Sequence, residues 1–171
     1  MTSMPRGGAA DVNAAAVRRR RAVAAAGAVS AGLLVLSACD KPTPLSTITV
    51  GRSSVSSEAT CGGEGKTLQT ADLAKCLKDN DIKSIKVDPD ETVRFGVDPD
   101  IADKRWTILM NGQPLVEDSD KTYRTIPGSV FFNAQYGAQG NSTLVTIKAG
   151  DGKKSSSAAT GLWSFKLKKD D

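Results

Sequence analysis

Along the second half of this chain apolar residues recur at every other position, the period of a strand with one covered and one solvated face. Ile85 and Val87 flank Lys86, and Val93, Phe95 and Val97 alternate with Thr92, Arg94 and Gly96. Trp106, Ile108 and Met110 alternate with Thr107 and Leu109, and Val145 and Ile147 with Thr146 and Lys148. Trp163, Phe165 and Leu167 alternate with Ser164, Lys166 and Lys168. Turn residues punctuate these runs. Val87-Asp88-Pro89-Asp90 recurs as Val97-Asp98-Pro99-Asp100, with Asp and Pro placed for type I turns. Asn111-Gly112 is a strong hairpin signal, and Pro127-Gly128 and Asp151-Gly152 are further turns. About seven short strands spaced by roughly 8–12 residues predict a mainly β fold. The expected architecture is an Ig-like or cupredoxin-like β-sandwich with one short helix. The stretches 133–143 and 149–160 read as loops.

Upstream of these runs, residues 46–50 (Ser-Thr-Ile-Thr-Val) read as a first strand, Gly51–Thr60 as a Ser-rich loop and Cys61–Lys66 as an irregular piece. Thr70 can cap a short helix over Ala71–Lys78, within 70–79. There Leu73, Cys76 and Leu77 share one face, and Asp72 precedes Lys75 and Lys78 as the helix dipole prefers.

The first 38 residues have a different build. Arg18–Arg21 precede an uncharged run, Ala22–Leu36, of mostly Ala, Val, Leu and Gly. That run falls short of the ~20 residues that span a bilayer comfortably. Positive charge followed by a short apolar core and small residues is the pattern of an export signal. Residues 1–17 form a polar leader that reads as disordered. The run ends in Leu36-Ser37-Ala38-Cys39, which resembles a lipobox. The resemblance implies a diacylglyceryl thioether on Cys39 and cleavage before it. The alternative is an uncleaved helix with an ordinary cysteine; the short apolar run favours the signal. Arg20-Arg21-Ala22-Val23 is a poor twin-arginine signal, so the general secretory route is expected. The chain thus divides into a signal peptide (1–38), a lipidated tether (39–45, with Pro42 and Pro44) and a domain (46–171) close to the extracytoplasmic face of the cell membrane. Two acyl chains give stable anchoring where one gives only marginal binding.

This division changes the meaning of the charge. Of 23 basic residues five precede Cys39, against one of 19 acids, which leaves 18 of each in the mature part. The overall +4 therefore belongs to the leader. A neutral domain does not predict nucleic-acid binding. The cysteine count changes too: with Cys39 lipidated, Cys61 and Cys76 remain. Outside the cytoplasm they are expected to pair, closing a loop of ~15 residues worth ~3 kcal/mol.

No histidine occurs, which removes Ser-His-Asp catalysis and the two imidazoles of a blue-copper site. Acids cluster at Asp79, Asp81, Asp88, Asp90, Glu91, Asp98, Asp100 and Asp103, yet none continues as a calcium loop. A hydrolytic carboxylate pair would need a concave site, and these acids fall in turns. Gly62-Gly63-Glu64-Gly65-Lys66-Thr67 lacks phosphate-loop spacing. No catalytic residue, metal or cofactor is expected beyond the lipid. Trp106 and Trp163 are expected in the core. Phe131 and Phe132, adjacent in a presumed strand, would point to opposite sides, and one of them with Tyr136 could make an apolar patch for an envelope protein or wall component.

The Ser37–Pro44 junction, Trp106 with Asn111-Gly112-Gln113-Pro114, Tyr123-Arg124-Thr125 and Gly161–Phe165 resemble small actinobacterial lipoproteins of the domain of unknown function 2771 family. The Ala- and Gly-rich leader fits such a source. The resemblance implies no activity, cofactor or catalytic residue. The expected role is a non-enzymatic binding or scaffolding module, with small-ligand or metal binding through the acidic turns as the alternative and wall or carbohydrate modification third.

Overall fold

The structure is a computed structural model and describes residues 43–69, 72, 75, 76 and 82–170. The segment expected to be an export signal, including Leu36, Ser37, Ala38 and Cys39, lies outside the described residues. Of the helix expected within 70–79, Asp72, Lys75 and Cys76 are described, and all three are helical.

The chain from Thr43 onward is a β-sandwich of two sheets. β1 (Ser46–Val50), β2 (Ser53–Ser57), β5 (Thr92–Val97) and β8 (Tyr123–Pro127) form the first sheet in the order β2-β1-β5-β8. The second contains β3 (Cys61–Gly62), β4 (Lys83–Val87), β6 (Trp106–Met110), β7 (Gln113–Pro114), β9 (Ser142–Ala149) and β10 (Gly161–Lys169). Its order is β3-β10-β9-β6-β7, and β4 joins β10 in parallel, the exception among antiparallel pairs. The alternating residues supply the core as expected. Ile48, Val93, Phe95 and Val97 from one sheet meet Val87, Trp106, Ile108, Val145, Ile147, Trp163, Phe165 and Leu167 from the other in one buried cluster.

Ten strands are described where about seven were expected. The Ser-rich stretch Gly51–Thr60 contains β2, an edge strand paired residue for residue with β1. Its serines carry little hydrophobic signal, and the backbone ladder with Thr47–Ser56 and Thr49–Ser54 hydroxyl contacts holds it. β3 and β7 are two-residue pairings that no periodicity reveals. Asp98-Pro99 opens one helical turn, α1 (Pro99–Ala102), and not a simple type I turn. Proline suits the first helical position, and burial of Ile101 and Ala102 carries the chain around. The sister motif does make the expected turn, with Glu91 N donating to Asp88 O at 3.0 Å. Asn111 and Gly112, both at positive φ, turn β6 into β7.

The face expected to be solvated is covered in part of the second sheet. Thr146 and Ser164 are buried there and share a hydrogen bond of 3.1 Å, and Leu162 beside them is buried too. Pairing the two hydroxyls removes the cost of burying either alone.

Candidate functional site

The N-terminal end of the sandwich is where the chain leaves toward Cys39, and its residues hold that exit in place. Trp163 buries its indole in the core and donates Nε1–H to Pro44 O at 2.9 Å. A buried indole needs such a partner for its N–H. Gly161 lies under this ring: a Cβ there would come within 2.6 Å of it. Leu45 N donates to Asp98 Oδ2 at 2.8 Å, and Asp98 N donates back to Leu45 O at 3.1 Å. Asp98 therefore holds Leu45 and makes no side-chain cap on α1. Trp106 makes the parallel arrangement, donating Nε1–H to Lys121 O at 2.6 Å. Its backbone N and O both pair with Ser119 at 2.8 Å.

Beside this segment lies a charged cluster that the sequence did not signal. Arg105, at φ +56°, donates Nε–H to Asp118 Oδ2 at 2.5 Å and Nη1–H to Asp120 Oδ2 at 3.3 Å. Asp118 Oδ1 also accepts from Ser155 N at 3.4 Å. The hydrogen bond from Arg105 holds the Asp118 carboxyl below the usual carboxylate range, and the same bond raises Arg105 above its ordinary value. The Lys153 amide lowers Asp151 likewise. Arg105, Thr107, Lys148 and Ser156 line a small recess of about 30 Å³. It adjoins an open cleft of about 320 Å³ lined by Val116, Glu117, Lys154 and Ser155 among others. Arg105 and Asp118 stand thirteen residues apart with no shared motif. The positive φ of Arg105 that brings them together has no sequence mark.

Cys61 and Cys76 are joined by a disulfide, with Cα atoms 5.7 Å apart. Cys61 sits in β3 opposite Leu162, so the bridge ties the described helical residues to the edge of β10. Phe131 and Phe132 lie in a 3-10 helix, Gly128–Phe132, and not in a strand. The chain turns there because Gly128 passes so close to Asp88 and Glu91 that a Cβ would come within 2.6 Å of a backbone oxygen. Successive residues of such a helix are about 120° apart, not opposite. Phe131 is fully buried, its ring centroid 5.8 Å from that of Phe95, and its carbonyl accepts from the Thr143 hydroxyl. Phe132 is half-buried against the core, and Tyr136 is exposed.

The acids of the middle segment are dispersed. Asp88 Oδ1 accepts from Asp90 N within its own turn, and Asp98 holds Leu45. Asp79 and Asp81 lie outside the described residues. Among the described residues no three His, Cys, Asp or Glu side chains gather as a metal-binding group. No protein-family model, curated protein or solved structure matches the chain.

Proposed function

We propose that this chain is an exported lipoprotein, carried by diacylglycerol on Cys39, whose sandwich is a non-enzymatic binding or scaffolding module at the extracytoplasmic face of the cell membrane. The observation behind this reading is Leu36-Ser37-Ala38-Cys39 at the end of a charged-then-apolar segment. Only four residues separate Cys39 in the sequence from Pro44, where Trp163 grips the chain, and this supports it. A domain so tied is suited to working beside the bilayer and not at the end of a long stalk. The resemblance to the domain of unknown function 2771 lipoproteins points the same way. Metabolic labelling with a radioactive fatty acid tests the anchor. The wild-type chain takes up label and Cys39→Ala takes up none; label persisting on the variant would sink the reading. Crosslinking in the native envelope then identifies what the module holds.

A second reading, a small-ligand site, draws on the cleft beside Arg105, Thr107 and Lys148. It places the ligand there and not at the acidic turns, whose Asp88 and Asp98 carboxylates already serve backbone amides. Calorimetry with anionic sugars and muropeptides, on the wild type and on Lys148→Ala, distinguishes the two: heat that the variant loses favours the ligand site.

A further inference from the structure

We propose that the end of the sandwich where β1 begins lies against the bilayer, with Leu45 and Tyr123 in the headgroup region, and that the opposite end points away from it. This rests on the reading of Cys39 as the lipid anchor and adds an orientation to it. Three large apolar side chains are exposed among the described residues: Leu45, Tyr123 and Tyr136, at 39%, 69% and 55%. Two of them stand at the tether's end. Leu45 precedes Ser46, which pairs with Val97. Val97 N in turn donates to Thr122 O, and Tyr123 pairs with Gly96. Tyr136 is at the other end: Asn111, in the turn after β6, donates to Gly137 O at 2.9 Å. Trp106, which opens β6, pairs with Ala149 and so shares the tether's end through Gly161.

The leash is short. Four peptide steps from Cys39 to Thr43 span at most ~14 Å when fully extended. The five residues of β1 alone are about 17 Å long, so a lipid on Cys39 cannot bring both ends to the surface equally. The exit is not free to swivel either, because Trp163 holds Pro44 O and Asp98 holds Leu45 N. The second indole, Trp106, pins Lys121 O two residues before Tyr123. Tyrosine, with an apolar ring and a polar tip, is enriched where water meets lipid. Leu45 beside it would add apolar contact.

The test uses the full lipidated protein in vesicles of phosphatidylethanolamine and phosphatidylglycerol that contain a headgroup-nitroxide lipid. A thiol-reactive fluorophore is placed on Tyr123→Cys, on Lys121→Cys as a second site at the same end, and on Tyr136→Cys. Flotation and acyl labelling are recorded for each. Quenching severalfold stronger at 123 and 121 than at 136 is expected. Floating protein quenched equally at both ends, or more at 136, overturns the orientation and leaves the anchor standing. Protein that neither floats nor carries acyl chains overturns the anchor and the orientation together.

Discussion

Asp118 directs one carboxylate oxygen at the Arg105 guanidinium and the other at the Ser155 amide, and in doing so joins three separate segments of chain. Arg105 adopts a left-handed backbone that non-glycine residues rarely take, and its side chain is then held by two carboxylates. The pair's contribution to stability depends on pH with a definite sign. Asp118 titrates below its unfolded value, so the folded form gains from its ionisation above an unfolded pKa of ~3.9, and loses that gain as pH falls through the lowered folded value. Arg105, raised further, stays charged throughout that window. Asp118→Asn is therefore expected to melt a few degrees below wild type from pH 8 to pH 5. The gap closes as pH falls below about 4. Thermal melts of both proteins across that range check this; a gap that is constant down to pH 2 would show that the amide fails for reasons unrelated to charge.

At the scale of elements, the disulfide is a covalent tie between two short segments. It links β3 to the helical residues around Cys76 across a separation of 15. Replacing both cysteines by serine is expected to lower unfolding free energy by ~3 kcal/mol in denaturant titrations. Mass spectrometry of wild type prepared without reductant should recover Cys61 and Cys76 in one linked peptide pair. Alkylation of both without reduction would refute the bridge. The elements differ in how far they could be read from the chain. Strands with alternating Val, Phe, Ile and Trp were legible because the period of burial is written in side-chain type. β2 was not, since serine on an edge strand records no burial and its place is set by the partner's backbone. Adjacent Phe131 and Phe132 misled as strand residues because helix and strand share short apolar runs, and a close approach of Gly128 to Asp88 decides between them. The charged cluster was illegible for a similar reason: Arg105 and Asp118 meet through tertiary path and not through spacing.

At the scale of the whole molecule, the folded unit begins before its first strand. Alternation marks Ser46 as the start of β1, yet three hydrogen bonds reach further back, from Trp163 to Pro44 O, from Leu45 N to Asp98 and from Asp98 N to Leu45 O. Pro44 O satisfies a buried indole, so its removal leaves a donor without a protein partner as well as losing a bond. A chain that begins at Thr43 is expected to match the wild type in stability. One that begins at Ser46 should lose all three bonds and unfold about 1–3 kcal/mol more easily. Urea titrations of the two truncated chains and of the wild type, followed by tryptophan fluorescence, make the comparison. Equal stability of the two truncations would mean that water replaces Pro44 at no cost. The grip on Pro44 would then be too weak to support the orientation proposed above. A clear difference would place Pro44 and Leu45 inside the cooperative unit, so that a force applied at Thr43 is transmitted directly to β10 and the core.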